Sequence, residues 1–451
     1  MRSTHGRLAA LCFLPLLISC AKARPEHPSG TTVTPTELAR IWDAERVSPH
    51  APPLLTHSEV VARLREVVAR TPDMFSLEQI GESVERRAIH HLEVGTGAFP
   101  VLLWSQMHGD EPTATAALFD VFEYLRRHRN DVAVERLLSK LTLHFVPMLN
   151  PDGAERFQRR NAQGIDINRD ALRLQTPEGR ALKALRDRLN PRVGFNLHNQ
   201  SWGTAIGNPP QPAAISLLSV AYDVKRSENA ARVLTKKLCA VIRDSLEPFA
   251  SGRIGRYDED FEVRAFGDNL TLWGTPVVLI ETGPWPGEDV DTPLIRLNFV
   301  AIVSALDALA SGRAHKANPR RYEELPVNGS GLLYILVKNG TLINGAGIQP
   351  FVADIGISAN RRIRTNDGKR EMQIVANLTD LGDLRTSGAL RVIDATGMTI
   401  VPDNDYETGA SIDLPDWRMK AKTPIATGQP PRLALLRPQA DGKYKVEMVI
   451  R

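Results

Sequence analysis

Cysteine is scarce: the 451 residues include three, Cys12, Cys20 and Cys239. A disulfide framework is therefore excluded as the source of stability, and a chain this long has material for two or three hydrophobic cores instead. An excess of one charge is lacking too. Lys and Arg number 56 against 52 Asp and Glu, and the formal net charge is only +4. With no basic stripe interleaved with aromatics, nucleic acid is not an expected partner. The N-terminal apolar run, Leu8 to Ile18, is too short to anchor in a bilayer as a stable span. Neither an internal repeat nor a low-complexity tract occurs. What remains, at 42% apolar and 24% charged, is ordinary globular material.

The N-terminus reads as a secretory signal, with Arg2 and Arg7 ahead of the short apolar run. Leu17-Ile18-Ser19-Cys20 resembles the bacterial lipobox, in which the cysteine is lipidated and becomes the new terminus. Ala21 after it points toward the outer membrane. This predicts a signal segment over 1–20, a Pro/Thr/Ser-rich tether over 21–36, and a lipid-anchored protein of the bacterial cell envelope. Cys239 lies in a helical pattern and reads as a small core residue, so no disulfide is expected.

Residues 37–315 alternate strand-like and helix-like segments. Helical periodicity covers Val60 to Val68, Thr113 to Leu125, Pro177 to Leu189, Ala230 to Leu246 and Leu294 to Leu309. Apolar runs at Phe99–Trp104, Thr142–Met148, Phe195–His198 and Thr275–Ile280 read as buried strands. Helices interleaved with such strands predict an α/β fold whose sheet is covered on both faces. Ligands on such sheets collect beyond the carboxyl ends of strands. His108, Asn150, His198 and Glu281 all come just after strand-like runs and should gather at one edge. Residues 325–451 differ: short alternating runs broken by Gly, Asn and Asp read as a small C-terminal all-β domain. Asn339-Gly340, between two apolar runs, predicts a hairpin turn.

His108-Gly109-Asp110-Glu111 sits where a strand gives way to a helix, so both side chains can turn to one point. His198 ends another strand. Two nearby donors and a distant third leave one tetrahedral position for water, the pattern of a catalytic zinc. Glu281 at a strand end is placed to act as the base. Arg159 could face negative charge on a carbonyl oxygen, and Asn168-Arg169 could grip a carboxylate. Singly, each residue has a bland reading as core histidine or solvated charge, and only the joint occurrence carries weight. A second His-x-x-Glu, His90-His91-Leu92-Glu93, lies in an alternating strand pattern where positions three apart face opposite ways, so it is not expected to hold a metal.

In this order, residues 100–311 resemble the zinc metallocarboxypeptidases, the carboxypeptidase A-like family. His108-Gly109-Asp110-Glu111-Pro112-Thr113 is similar to the family's first zinc segment, and Asn150-Pro151-Asp152-Gly153 to the loop before the substrate-binding region. Arg159 through Asp170 is similar to the stretch with the oxyanion arginine and the Asn-Arg pair. The resemblance implies an α/β/α sandwich with a mixed, mostly parallel eight-stranded sheet, one Zn²⁺ per chain on His108, Glu111 and His198, and Glu281 as general base. It further implies Arg159 at the oxyanion, Asn168 and Arg169 on a peptide's terminal carboxylate, and Tyr257 as the family's mobile tyrosine. Arg159 is chosen over Arg160 by spacing, and Tyr257 over Tyr222 by position. Asp170, where many members carry Asn, would weaken binding of an ordinary carboxylate or favour a nearby cation.

Acidic residues crowd Tyr257 to Glu262 and recur at Asp268, which suggests either a cationic terminal group in the substrate or a solvated loop. Residues 331–402 resemble, weakly, the small β-sandwich that accompanies amidohydrolase barrels, and imply a non-catalytic domain. The functional expectation is a carboxypeptidase acting on peptides or cell-wall stem peptides. The alternatives are an amidase or deacylase of small N-acyl substrates, and a silent binding lipoprotein. The oligomeric state is not legible.

Overall fold

Side chains of successive residues in the strand Phe99–Ser105 enter two different cores. Val101 and Leu103 pack into one hydrophobic cluster, Leu102 and Trp104 into another. That alternation is what a strand buried on both faces requires. The computed structural model describes residues 32–49, 51–345, 348–367, 369–414 and 424–451. The expected signal segment, Cys20 and most of the expected tether lie outside the described residues.

Eight strands build the first sheet: β1 (Phe75–Glu82), β2 (Ala88–Val94), β3 (Phe99–Ser105), β4 (Leu141–Val146), β5 (Val193–Asn199), β6 (Ile215–Ser219), β7 (Ile254–Arg256) and β8 (Val277–Thr282). Their order is β1-β2-β4-β3-β5-β8-β6-β7. The centre, β4-β3-β5-β8, pairs in parallel, while β1-β2, β2-β4 and β8-β6 are antiparallel. The larger core receives the helices Thr113–Arg127, Ala230–Ala250 and Asp291–Ala310 through Phe119, Phe122, Leu238, Ile242 and Phe299. The smaller core receives Pro177–Leu189 and Phe266–Leu272 through Leu182, Leu185 and Leu270. Helices on both faces of a mixed sheet make the α/β/α sandwich. Cys239 is fully buried in the larger core.

The polar segment after residue 312 does not leave this core. Short helices at Arg313–Lys316 and Arg320–Glu323 fold back, Tyr322 is fully buried, and its hydroxyl accepts from the Ser219 amide at 3.1 Å.

The second sheet comprises β9 (Leu333–Leu342), β10 (Phe351–Asn366), β11 (Lys369–Gly382), β12 (Ala389–Asp394), β13 (Thr399–Pro402), β14 (Ser411–Ile412), β15 (Leu433–Pro438) and β16 (Tyr444–Ile450). Its order is β11-β10-β9-β13-β15-β16-β14, with β12 also on β9. The hairpin expected at Asn339-Gly340 is not there. Both flanking halves of β9 pair with β10, and the register shifts between Val337 and Gly340, so the dipeptide is a bulge inside one strand. Asn339 takes the left-handed φ of 59° that such a bulge needs, and a Cβ on Gly340 would lie 2.2 Å from Ile400.

Both sheets belong to one unit spanning Thr32–Arg451. Trp202 stacks on Tyr334 with ring centroids 5.7 Å apart, and Arg361 of β10 bonds Asp291 at 2.7 Å. Arg370 of β11 reaches the carbonyls of Pro53 and Ala154.

Candidate active site

The carboxyl ends of β3, β5 and β8 meet where two loops must approach closely. After β3, Gln106 takes a left-handed φ of 50°, held by its amide on the Gly109 carbonyl and by Thr115. This turn carries His108 and Glu111 back over the sheet edge. Gly109 makes the turn possible, since a Cβ there would lie 2.0 Å from the Gly153 carbonyl carbon. Asn150 caps the helix Pro151–Arg156 by accepting from Gly153 N and donates to the Arg159 carbonyl at 3.3 Å, so it fixes the chain that delivers Arg159. At the end of β5, Asn199 donates to Thr113 at 2.7 Å and its amide reaches Glu111 at 3.2 Å, which sets His198 beside Glu111.

His108, Glu111 and His198 converge with one donor atom each within 4.8 Å of the others. Their Nδ1 atoms lie 3.1 Å apart, and the Glu111 oxygens are 2.7 Å from His108 and 2.6 Å from His198. Tetrahedral zinc with bonds of about 2.0–2.1 Å places two nitrogens about 3.3 Å apart, so this donor set fits that ion. Two imidazole nitrogens and a carboxylate, all buried and aimed at one point, are otherwise unfavourable without a shared cation or proton.

Behind the donors stands a residue that no sequence motif singled out. Asp166 accepts from His108 Nε2 at 3.2 Å and from Arg159 Nε at 2.9 Å, a carboxylate that fixes a histidine's tautomer from behind. It lies within the segment already suspected, but only its contact with His108 distinguishes it from other acids there. Arg159 faces the donors, its Nη1 3.1 Å from His108 Nδ1, whereas Arg160 turns to the Gly164 carbonyl.

Glu281 pairs in register with His198 across β8 and β5. One of its oxygens is buried with no hydrogen-bond partner among the described residues. Burial, reinforced by the Glu111 charge, raises its carboxyl to about 8. A divalent cation among the three donors would draw that value down, because opposite charge favours the carboxylate. Tyr257 lines the same cavity; the Glu281 charge, with burial, raises its phenol to about 12.

The cleft has two lobes that share Glu111 and Arg159. The larger, about 450 Å³, contains Asn168, Arg169, Tyr257, Glu281 and the acidic Asp258, Asp260, Glu262 and Asp268. Arg169 is 3.3 Å from Glu262, and Asn168 accepts from Phe266 N at 2.9 Å. The smaller, about 360 Å³, is walled by Trp202, Asp291, Asn360 and Arg361, so the second sheet supplies part of it. Nothing in the local sequence around Asn360 and Arg361 announces that role. Asp170 is corrected: it is buried and accepts from Gln175 N, Thr176 N and Thr176 Oγ1 at 2.9, 2.7 and 2.7 Å. Its lone pairs hold the start of the helix Pro177–Leu189 and do not face a substrate.

A family model described as zinc carboxypeptidase matches residues 60–211. This segment of the chain is similar to zinc carboxypeptidases. His108, Glu111, Arg159, Asn168, Arg169 and His198 lie inside the matched span, while Tyr257 and Glu281 lie beyond it. Carboxypeptidase 2 of Trichophyton tonsurans is 31% identical over 162 residues, 35% of this chain and 28% of the fungal protein. Carboxypeptidase E of Caenorhabditis elegans is 31% identical over 134 residues, 25% of this chain and 28% of the nematode protein. The chain thus spans well under a third of the length of these curated relatives. Among solved structures, a metallo-carboxypeptidase from Burkholderia cenocepacia is similar at 18% identity and a TM-score of 0.47, covering 57% of this chain and 69% of that one.

Proposed function

We propose that this protein is a zinc-dependent metallocarboxypeptidase that hydrolyses the C-terminal bond of peptides. One observation carries the reading: the convergent donors of His108, Glu111 and His198 share a cleft with an Asn-Arg pair and with Glu281, one of whose buried oxygens has no hydrogen-bond partner among the described residues. Zinc held by those three, one ion per catalytic site, supplies a Lewis acid that polarises the scissile carbonyl and acidifies water near neutral pH. Glu281 takes the proton of the attacking water and returns it to the leaving amine nitrogen. Arg159 faces the carbonyl oxygen as negative charge grows on it. Arg169 and Asn168 hold the terminal carboxylate, with Arg169 exchanging Glu262 for the substrate. Tyr257 closes on the bound end.

The larger lobe takes the terminal residue and the smaller takes the chain on its amino side. Asp258, Asp260, Glu262 and Asp268 around the larger lobe favour a cationic terminal group, including the free amine of a cell-wall diamino acid. The likeness of Leu17-Ile18-Ser19-Cys20 to a lipobox supports an enzyme of the cell envelope, lipid-anchored through Cys20 in the outer membrane or periplasm.

The test compares matched peptides ending in Lys, Leu or Glu, each as free acid and as amide. Hydrolysis of free acids alone, fastest for Lys, is expected. Equal rates on acids and amides would leave Arg169 and Asn168 without a purpose and favour an amidase of N-acyl substrates. Equal rates on the three free acids end the cationic preference, and no hydrolysis by the zinc-loaded chain leaves a binding lipoprotein. Cys20→Ala should release the protein from membranes.

A further inference from the structure

Alternation along β2 separates His90 from Glu93, but the same alternation puts His91 and Glu93 on one face. Register then completes a cluster. Glu93 stands opposite His144 of β4, and His91 stands opposite Glu78 of β1, so four ionisable side chains share one patch of sheet. His91 Nε2 is 3.0 Å from His144 Nδ1, and the Glu93 carboxylate is 3.3 Å from that same nitrogen. The donor atoms of His91, Glu93 and His144 all lie within 4.8 Å of one another.

We propose that His91, His144 and Glu93 form a second divalent-cation site, of zinc's coordination preference, separate from the catalytic cleft. The separations match the roughly 3.3 Å between ligands of a tetrahedral zinc. A proton is a poorer occupant. Carried on His144 Nδ1, it is shared between His91 Nε2 and the Glu93 oxygen in one three-centre contact, and neither acceptor receives a full bond. A cation satisfies all three donors at once.

The surroundings are those of a ligated histidine. The far nitrogen of His91 is 3.4 Å from Glu78, which Arg188 grips in two bonds of 2.7 and 2.6 Å. A histidine backed by a carboxylate, itself backed by an arginine, fixes which ring nitrogen carries the proton and leaves the other free to coordinate. His91 and His144 are nearly inaccessible, whereas Glu93 is 40% exposed and gives an ion its way in. Such an ion would clasp β2 to β4 near the end of the helix Pro177–Leu189. Only the folded chain holds the three donors together, so binding stabilises it by mass action.

The experiment titrates Zn²⁺ into the chelator-treated full chain by calorimetry and counts bound metal by mass spectrometry. The wild type should take up two ions, and His91→Gln and His144→Gln one each, with turnover within about twofold of wild type. Glu93→Gln, a half-exposed change that leaves folding intact, should weaken the second ion by at least about tenfold. Excess zinc should raise the wild-type Tm by about 2–5 °C more than that of His91→Gln. Zinc uptake by Glu93→Gln and His91→Gln equal to that of wild type, at whatever count, overturns the site. Because the readout is the difference between variants, a chain that hydrolyses no peptide still decides it.

Discussion

Two clusters in this molecule have nearly the same parts. His108, Glu111 and His198 converge at the strand ends, and His91, Glu93 and His144 converge on the flat face of the sheet. Each has a histidine backed by a carboxylate and an arginine: Asp166 with Arg159 in one, Glu78 with Arg188 in the other. The neighbourhoods differ. The first opens into a two-lobed cleft with Glu281 and Tyr257 on its wall, while the second has only a half-exposed glutamate between it and water. Ligand geometry can therefore arise wherever register aligns donors. Catalysis needs strand ends, where loops can add a base and a cavity.

The sharpest contrast is in turnover. Glu281→Gln is expected to lower kcat on the order of 10²–10⁴-fold with zinc content unchanged. His198→Ala should lose both the cleft's ion and activity, whereas His91→Gln should leave hydrolysis near wild type. Steady-state kinetics beside metal analysis checks all three, and a fully active Glu281→Gln enzyme removes the proposed base.

The backing carboxylates test the likeness more finely. Asp166→Asn should weaken zinc retention in the cleft by about 10–100-fold. Glu78→Gln should weaken the sheet-face ion less, because Glu78 is 48% exposed and water can take its place. Equal losses would mean that burial of the second carboxylate is unimportant.

Next comes dependence on the distant sheet. Arg361→Ala breaks the bond to Asp291 and should raise KM for peptides of several residues about fivefold, with kcat little changed. It should not touch zinc uptake at His91 and His144.

The smallest effect concerns pH. Burial raises the Asp268 carboxyl to about 7, so the folded chain keeps a proton that an unfolded chain releases near pH 4. Stability from this group is whole below about pH 4 and lost as pH climbs through about 7. Asp268→Asn should melt with wild type at pH 4 and about 2–4 °C above it at pH 8, the gain being moderated by partial exposure.

Much of the first cluster was legible because buried strands announce themselves as apolar runs, and a residue just past such a run sits at an edge. His108, Asn150, His198 and Glu281 could be placed on that basis alone. The second cluster was not. The H-x-x-E spacing drew attention to His90, while the pairing of β2 with β4, on which His144 depends, has no local signature. Asp170 shows the converse: a carboxylate beside the Asn-Arg pair suggested the substrate, yet its neighbours Gln175 and Thr176 use it to start a helix. At Asn339-Gly340 a turn dipeptide served as a bulge, because both flanks had the same partner strand. Arg361 belongs to the cleft only through the packing of a second sheet, which no pattern near residue 361 encodes.

The Arg361–Asp291 bond has a practical consequence for anyone who shortens this protein. A fragment ending near residue 325 retains every proposed catalytic group and looks like a natural cut. It would strip Trp202 of its stacked tyrosine and leave the Asp291 carboxylate without its guanidinium partner. Such a fragment should accept bulkier chains and aggregate more readily, so truncation would report on the shape of the doorway while the chemistry behind it stayed the same.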